Sequence, residues 1–270
     1  EISECLVGSE MCIRDRYQDV FKRYEKKYLM NQTQYAALEA GLTPYMKHDQ
    51  YGRHTICNLY LDTEDYRLIR MSLEKPVYKE KIRVRSYGVP QQNDSVFLEL
   101  KKKYKGVVYK RRISLPLEEA MNFLACGRLP QEDSQIFEEI HWFVDFYRPV
   151  PKTFIGYDRA ALFGREDSEL RITFDQNLRW RDTSLDLSSG DFGSPIIEPE
   201  LILMEIKAPG AMPLWLCRLM TELKIYPVSF SKYGACYEEF LAPKATYRTR
   251  YEGVPASRTF EKHSGGIICA

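Results

Sequence analysis

The chain contains 270 residues with a formal net charge of +1, which arises from 39 Lys and Arg residues against 38 Asp and Glu residues. A compact domain of this length buries roughly three quarters of its unfolded surface, so a substantial core is available. The balanced charge excludes long-range attraction of nucleic acid or an anionic membrane by the molecule as a whole. Any anion site must therefore be local.

The cysteines and the apolar segments narrow the class of protein further. The 7 cysteines are widely spaced and never form a CxxC pair, which argues against a zinc site or a disulfide framework. No apolar run reaches the roughly 18 residues of a membrane-spanning helix, and the N-terminus lacks the pattern of a signal peptide. We therefore expect a reduced, cytoplasmic protein.

Three segments are distinguished along the chain. Residues 1–16 show no clear periodicity and do not turn into a following element, so we interpret them as a non-native or unstructured leader. Residues 17–242 carry the regular patterns and form the predicted domain. Residues 243–270 have little apolar periodicity, and we expect a loosely ordered tail.

Hydrophobic periodicity and turn residues predict a mixed series of strands and helices. Strands are predicted at residues 21–30, 53–62, 81–85, 97–103, 107–115, 154–163, 170–175 and 200–207. Helices are predicted from residues 31–33 to Gly41 and Pro44, at 65–73, 116–124 and 135–147, from Pro213 onward, and at 229–241. A hairpin turn at residues 105–106 makes the central strands an antiparallel meander. The loop at 182–199 is expected to be an exposed connection or a lid.

The most informative stretch is the strand from Lys81 to Arg85, in which three cations alternate with Ile82 and Val84. Residues two apart in a strand share a face, so the cations point to one side and the apolar residues to the other. For a single strand, a solvent-exposed face is the more common explanation. The pattern recurs at 97–103, 109–115, 170–174 and 201–207, which favours a shared site.

Cations that converge on one volume need an anionic partner. Each close pair of like charges repels by about 4 kcal/mol when the effective dielectric constant is near 20. The carboxylates predicted on the same faces, Glu25, Glu99 and Glu205, are too few to neutralise all of these cations. The pattern therefore indicates a polyanion site with a divalent cation held by carboxylate and phosphate oxygens.

The motifs in this chain resemble those of the VTC domain of polyphosphate polymerases, within the triphosphate tunnel metalloenzyme superfamily, from about residue 17 to residue 241. Each motif is weak alone, and their order makes the resemblance specific. The motifs are RYEKKY (23–28), NLYLDT (58–63), KIRVRSY (81–87), LELKKK (98–103), YKRRISLPL (109–117), GYDRAA (156–161), LRITFD (170–175), LMEIK (203–207) and FSKYG (230–234).

The resemblance implies a fold and an activity. The implied fold class is α+β, with a closed antiparallel β-barrel that forms a tunnel and helices packed outside. The implied activity is ATP-dependent synthesis of inorganic polyphosphate, in which the γ-phosphate of ATP is transferred to a growing chain and ADP is released. ATP and polyphosphate are the implied partners, nucleic acid fits poorly, and a membrane-protein partner that receives the polymer is left open.

The resemblance also implies roles for particular residues. The implied catalytic residues are Lys27, Arg83, Arg85, Lys101, Arg159, Arg171 and Lys207. The implied phosphate-binding residues are Lys110, Arg112 and Lys232, the implied metal ligand is Glu205 with Mn²⁺ or Mg²⁺, and Glu25 and Glu99 are weaker, supporting candidates. Only alternate residues of 110–112 can face inward, and we choose Lys110 with Arg112, with Arg111 as the alternative.

Two other classes of function remain open. A triphosphatase or polyphosphatase could use the same fold, although RYEKKY contains one glutamate where hydrolytic members carry paired glutamates in an ExExK motif. A hydrolase that activates water needs a general base and usually more metal ligands. A non-catalytic polyphosphate-binding module is the third candidate, but for such a module we would expect Glu205 or a central arginine to be lost.

Overall fold

The computed structural model describes residues 24–105, 107–127 and 134–242. The leader predicted at 1–16 and the tail predicted at 243–270 lie outside the described residues, as do residues 21–23 of the first predicted strand and Gly106 of the predicted hairpin turn.

Eleven strands and six α-helices make up the described chain. The strands are β1 (Tyr24–Met30), β2 (Met46–His48), β3 (His54–Asp62), β4 (Tyr78–Tyr87), β5 (Ser95–Tyr104), β6 (Val107–Pro116), β7 (Val150–Gly164), β8 (Arg171–Arg181), β9 (Ser194–Pro195), β10 (Ile202–Ala208) and β11 (Pro227–Val228). The α-helices are α1 (Gln32–Leu42), α2 (Arg67–Leu73), α3 (Leu117–Cys126), α4 (Gln135–Tyr147), α5 (Leu214–Glu222) and α6 (Lys232–Cys236), with a 3₁₀ turn at Leu187–Ser189 and a π-helical turn at Tyr237–Leu241.

All eleven strands belong to one antiparallel sheet, in the order β11-β1-β10-β8-β7-β3-β4-β5-β6, with β2 paired to β7 and β9 paired to β8. The predicted antiparallel meander of β4, β5 and β6 is confirmed by their pairing. The three strands that were not predicted, β2, β9 and β11, are each two or three residues long. Such short pieces leave too few residues for a periodic pattern.

The sheet is strongly curved. Six steps separate β1 from β5 in the strand order, which would place them about 29 Å apart in a flat sheet at about 4.8 Å per step. Nevertheless Nζ of Lys101 on β5 lies 4.0 Å from Oε2 of Glu25 on β1. The sheet therefore bends until side chains of β1 and β5, each one strand from an end, meet across the concave face.

The closed β-barrel expected from the sequence is wrong. The strand order runs from β11 to β6, and no ladder of backbone hydrogen bonds joins these two ends within the described ranges. The outer edge of β1 pairs only with the two residues of β11, one of which is Pro227, and proline has no N–H to donate. Alternation of charged and apolar residues is compatible with an open curved sheet as well as with a closed one, so the pattern could not distinguish them.

Helices cover the convex face in two groups. Helices α3 and α4 pack on β3, β4, β5 and β6, where Ile82, Val84, Leu98 and Leu100 are fully buried. Helices α1 and α5 pack on β1, β8 and β10 in a second apolar cluster. No helix in the part of the chain that the structure describes is long and apolar enough to cross a membrane.

Local signals explain where the first helix begins. Asn31 accepts a hydrogen bond from the backbone N–H of Gln34, and the Gln34 side chain accepts one from the backbone N–H of Asn31. This reciprocal capping box satisfies two backbone donors that a helix start leaves open. The predicted apolar stripe is confirmed, because Tyr35, Leu38 and Leu42 are all buried.

The loop between β8 and β10 is an anchored connection rather than a lid. Leu187 is fully buried and Ile196 is 3% exposed. The guanidinium group of Arg181 donates to the carbonyl oxygens of Ser184, Asp186 and Phe192, so three loop carbonyls share one side chain. These contacts hold the loop against the sheet.

The helix predicted at 229–241 is shorter and irregular. It begins after Ser231, whose hydroxyl accepts from the backbone N–H of Gly234, and it changes to a π-helical turn at Tyr237. Tyr233 fixes α6 to the sheet by donating its hydroxyl to Asp62 at 3.0 Å and by stacking on Tyr60 with ring centroids 4.9 Å apart. Helix α6 therefore closes one end of the concave face.

Asp62 links β3, α2 and α6. Its fully buried carboxylate accepts from the backbone N–H groups of Leu68 and Ile69 at 2.8 and 3.0 Å, in addition to Tyr233. The residue at the helix cap itself, Tyr66, has no capping side-chain bond. The carboxylate of Asp62, a residue of β3, thus caps the N-terminus of α2.

We expect Asp62→Ala to lower the free energy of unfolding by about 3 kcal/mol, because several buried donors lose a charged acceptor at once. Asp65→Ala is the matched control: the Asp65 side chain is 62% exposed and pairs with Arg70, so it should cost at most about 1 kcal/mol. Urea denaturation followed by circular dichroism measures both values. Equal losses in the two variants would contradict the assigned role of Asp62.

Candidate functional site

The strand register places the predicted cations on the concave face. Residues directly opposite one another in antiparallel strands point to the same side. The pairs along the sheet are Lys27 with Glu205, Lys207 with Arg171, Asp175 with Arg159, Asn58 with Arg85, Arg83 with Glu99, Glu99 with Arg112, and Lys101 with Lys110. Lys232 reaches the same face from α6. The structure thus brings together all eleven residues predicted for the site.

Glu99 is the centre of the largest charge cluster. Its carboxylate is 2% exposed and lies 2.7 Å from Nη2 of Arg83 and 3.1 Å from both Nε of Arg112 and Nζ of Lys110. Nε of Arg85 is 3.7 Å away. Burial alone would raise the pKa of Glu99, but the four surrounding cations outweigh it and hold that pKa well below its ordinary value. Glu99 is therefore an ionised counter-charge for the arginines.

Asp175 organises the second cluster. It is fully buried, and Arg159 binds it through two parallel hydrogen bonds of 2.6 and 2.8 Å. Nζ of Lys232 lies 2.6 Å from the same carboxylate. Burial raises the pKa of Asp175, but Lys232 and Arg159 overcome this effect and lower it to about 2. The paired geometry fixes the plane of the Arg159 guanidinium.

Two tyrosines lie among these cations. Arg159 and Lys232 approach the ring of Tyr157 at 5.1 and 4.3 Å from its centroid. Burial raises the pKa of Tyr157, but Arg159 and further cations lower it to about 8 overall. Tyr60 accepts a hydrogen bond of 3.0 Å from Nη1 of Arg83. Both phenol oxygens therefore lie in a strongly positive field.

Glu205 and Glu25 form the acidic part of the site. Oε1 of Glu205 lies 2.9 Å from Nζ of Lys207, and Glu25 lies 3.8 Å from Nζ of Lys27. Burial raises the pKa of Glu205, but Lys207 and other nearby cations hold it well below its ordinary value. The two carboxylates face the volume between β1, β10 and β5.

Arg171 occupies a different environment from the other predicted cations. It is exposed, lies opposite Lys207 in the register, and forms no ion pair with any residue in the described ranges. Its position at the start of β8 places it at the edge of the concave face. It could meet an anion that enters from that side.

The structure separates the three adjacent cations of β6 by face. Lys110 and Arg112 both contact Glu99 on the concave face. Arg111 points to the convex side, where its Nε lies 3.1 Å from Glu139 of α4. The pair chosen from the sequence therefore shares the site, and the alternative residue joins the helix layer.

A divalent cation would find few protein ligands here. No group of three or more His, Cys, Asp or Glu side chains that could hold a metal ion is present among the residues described. Glu99 and Asp175 are each committed to cations at hydrogen-bonding distance. Glu205 contacts one cation at hydrogen-bonding distance, Lys207 at 2.9 Å, and Glu25 lies 3.8 Å or more from Lys27 and Lys101. These two carboxylates therefore fit best a metal which takes most of its ligands from phosphate oxygens and water.

Several residues of the site were not selected from the sequence. They are Asn58, Tyr60, Lys81, Tyr157, Asp175 and Ser231. The alternation in the strand from Lys81 to Arg85 did place Lys81 on the correct face, where its Nζ donates to Ser231 at 3.0 Å. Burial lowers the pKa of Lys81 to about 7, and the nearby cations Lys79 and Lys101 add to this effect. Asp175 lies within a recognised motif, but nothing in the sequence indicated its two partners.

Fold and site together define a domain whose curved antiparallel sheet has a cation-lined concave face. A profile of the VTC domain family matches residues 22–241, and the chain belongs to that family. The resemblance seen in the sequence is therefore confirmed.

A curated relative and two solved structures are similar to this chain. The relative is subunit 4 of the vacuolar transporter chaperone complex of Trypanosoma cruzi, which is 24% identical over 80% of this chain and only 34% of its own length. The chain thus spans about a third of that protein. A proposed adenylate cyclase from Bacillus halodurans has a TM-score of 0.52 and 13% identity over 83% of this chain and 100% of its own, and the likeness is one of fold. A proposed adenylyl cyclase from Hippeastrum, described as having a dominant triphosphatase activity, has a TM-score of 0.46 and 18% identity over 79% of this chain and 94% of its own.

We expect Glu99→Gln to lower the free energy of unfolding at neutral pH by about 3 kcal/mol, since four cations lose their buried counter-charge. The pKa of Glu99 is lowered by folding, so its contribution is complete above the ordinary value of 4.5 and is lost as the pH falls below it. The difference in stability between wild type and variant should therefore shrink on acidification.

Glu119→Gln removes an exposed carboxylate and is the matched control. Its unfolding free energy should stay within about 0.5 kcal/mol of wild type. Denaturant titrations at a series of pH values measure both variants. A Glu99→Gln effect that does not change with pH would disprove the ionised role of Glu99.

Proposed function

We propose that the chain is an ATP-dependent polyphosphate polymerase, which transfers the γ-phosphate of ATP to the end of a growing inorganic polyphosphate chain and releases ADP. The observation that carries this proposal is the excess of positive charge on the concave face. Among the residues that the structure describes, the ten predicted cations and Lys81 surround four carboxylates, Glu25, Glu99, Asp175 and Glu205. Membership of the VTC domain family supports a role in polyphosphate metabolism.

Phosphoryl transfer suits a site of this kind because it needs positioning and charge neutralisation more than a nucleophilic side chain. In the proposed reaction, a terminal phosphate oxygen of the polymer attacks the γ-phosphorus of ATP and forms a new P–O bond. The bond to the β,γ-bridging oxygen breaks, and ADP leaves with that electron pair. The cations of the concave face bind the equatorial phosphate oxygens.

The arginines are the residues best arranged to orient the reacting phosphates. Arg83 is held by Glu99 and Tyr60, and Arg159 by Asp175, so each guanidinium has a fixed direction. Planar guanidinium groups match phosphate oxygens through paired hydrogen bonds. Lys27 and Lys207 flank Glu205. Their ammonium groups can contact phosphate oxygens while the negative charge on the phosphates is redistributed during the transfer.

A divalent cation, Mn²⁺ or Mg²⁺, would be held by Glu205 together with phosphate oxygens. When bound, it would neutralise phosphate charge and help to align the donor. Glu99 and Asp175 would neutralise the protein's own cations, as their close contacts with arginine and lysine suggest.

A hydrolase of triphosphate or polyphosphate is the less favoured function. Water activation needs a general base and usually more metal ligands than one carboxylate. Within the described residues no cluster of three potential metal ligands exists, and Glu99 and Asp175 are neutralised by cations. This arrangement supports transfer to a phosphate acceptor over transfer to water.

The partners and location of the chain are part of the proposal. The Trypanosoma cruzi relative is named as a subunit of a complex, which supports a working assembly with partner subunits here too. A membrane protein that receives the polymer would be one such partner. The cytoplasmic location expected from the sequence stays a prediction.

Incubation of the purified chain with ATP and Mn²⁺ should yield polyphosphate and ADP in comparable phosphate equivalents. Product length is read on a gel after phosphate staining, and ADP is measured by chromatography. Orthophosphate as the sole phosphate product would refute the polymerase and favour the hydrolase.

We expect Glu205→Gln to reduce metal-dependent turnover by at least about a hundredfold, while the thermal unfolding midpoint changes little. Glu200→Gln, at an exposed position shortly before β10, removes the same charge outside the site and should leave turnover unchanged. Titration of Mn²⁺ followed by electron paramagnetic resonance gives a direct measure of metal binding in each variant with ATP. Normal Mn²⁺ binding and turnover in Glu205→Gln would exclude Glu205 as the ligand.

A further inference from the structure

A set of lysines extends the positive surface beyond the proposed reaction site. It lies where β4 begins and β5 ends, and we call it the lysine row: Lys75, Lys79, Lys81, Lys103 and Lys105, of which Lys81 also belongs to the site. Lys101 connects the row to the site, because it pairs with Lys81 in the register and lies near Glu25. The row is therefore continuous with the concave face.

The register sets like charges directly opposite one another in this row. Lys79 is paired with Lys103, and Lys81 with Lys101. Like charges at opposed positions of neighbouring strands destabilise a sheet. Lys79 and Lys81 are only partly exposed, so water screens their repulsion incompletely. The arrangement costs stability unless an anion lies over it.

The row has no compensating carboxylate in the part of the chain that the structure describes. None of its five lysines forms an ion pair with a residue in the ranges 24–105, 107–127 or 134–242. Lys79 donates to the carbonyl oxygen of Ser72 at 3.3 Å, and Lys81 to the hydroxyl of Ser231. On the opposite face of the same hairpin, Lys102 and Arg111 share Glu139. Within the described residues, this part of the sheet thus neutralises the cations on its convex face, whereas the lysines of the row have no carboxylate within ion-pair distance.

The turn residues of the row adopt an unusual backbone conformation. Lys75 and Lys105 have φ values of 53° and 47°, in the left-handed region that glycine occupies more readily. The backbone N–H of Lys105 donates to Val77 at 3.0 Å, which joins the two turns. Both lysines are exposed, Lys75 shortly before β4 and Lys105 directly after β5. The row therefore reaches the protein surface.

The aromatic residues of this region distinguish between kinds of polyanion. Tyr78 and Tyr104 are opposed in the register and lie on the other face of the strands, with ring centroids 6.5 Å apart. Single-stranded nucleic acid is bound by aromatic side chains that stack on bases beside the cations. Within the described residues, Lys105 at the turn lies 5.4 Å from the centroid of the Tyr104 ring, whereas the other four lysines of the row lie over no aromatic ring. A row with so little aromatic surface suits an anion that carries charge but no bases.

We propose that the lysine row is a second binding subsite, which holds a run of phosphate groups of a linear inorganic polyphosphate while one end of that polymer lies among the cations of the concave face. The inference rests on the proposed function for the identity of the polymer. It goes further in assigning a length preference: long polyphosphate contacts both the site and the row, whereas a triphosphate contacts the site alone.

The test uses the full chain with a Lys79→Gln/Lys103→Gln double variant, and Lys102→Gln as a matched control on the opposite face of β5. Binding of long-chain polyphosphate and of tripolyphosphate is measured by calorimetry without ATP or metal. The double variant should bind long-chain polyphosphate about tenfold more weakly and tripolyphosphate nearly as tightly as wild type. Lys102→Gln should bind both probes as wild type does.

Stability provides an independent measurement, since removal of two opposed like charges should leave the unfolding midpoint of the double variant equal or higher. Unchanged binding of long polyphosphate in the double variant would overturn the proposal. So would an equal loss for both probes, which would place the row inside the triphosphate site, or wild-type binding of an oligonucleotide as tight as that of long polyphosphate.

Failure of the proposed function has a different signature. If wild type makes no polyphosphate from ATP, yet the double variant selectively loses affinity for long polyphosphate, the polymerase is excluded and the subsite stands. If wild type synthesises polyphosphate and the double variant retains its length preference, the polymerase stands and the subsite is excluded.

Discussion

The neutralisation of like charge on the concave face is the constraint on which the rest of the structure depends. Two buried carboxylates, Glu99 and Asp175, are each contacted by two or more cations, and each stays ionised because those cations outweigh the cost of burial. Isolated burial of either carboxylate would be strongly unfavourable. The curvature of the sheet is what supplies the partners, since it brings cations from distant strands and from α6 into one volume.

The orientation of side chains could be predicted from the sequence, whereas the closure of the sheet could not. In the strand from Lys81 to Arg85, period-two alternation is a property of the backbone, and the burial of Ile82 and Val84 follows directly from it. Closure depends on whether the terminal strands meet edge to edge. That outcome is decided at β11, where Pro227 and a length of two residues leave almost no ladder to form, and neither feature produces a periodic pattern.

The candidate site was predictable where the alternation of a strand alone decides which face a side chain occupies. It places Lys110 and Arg112 on the concave face and Arg111 on the convex face. It was not predictable where the backbone departs from regular geometry. Tyr157 lies at an irregularity in the pairing of β7 with β8, between Gly156 and Asp158, and bulges of this kind redirect a side chain. Asp175 acquires its role from Lys232, a residue 57 positions later on a helix that begins at a Ser231 cap. Such contacts between distant parts of the chain leave no local signal.

The arginines of the site and the lysines of the row differ in how firmly they are held, and this difference bears on the proposed reaction. Arg83 and Arg159 are locked by carboxylates through hydrogen bonds of 2.6 to 2.8 Å, so their directions are set before any ligand binds. Rigid, preorganised donors are most valuable where charge develops in a transition state. The lysines of the row have no carboxylate partner within the described ranges, and a flexible ammonium group can exchange one phosphate oxygen for another at little cost. A polymer that lengthens must shift by one unit after each transfer. Firmly held arginines at the reacting phosphate and mobile lysines along the chain would meet both requirements on a single face of the sheet.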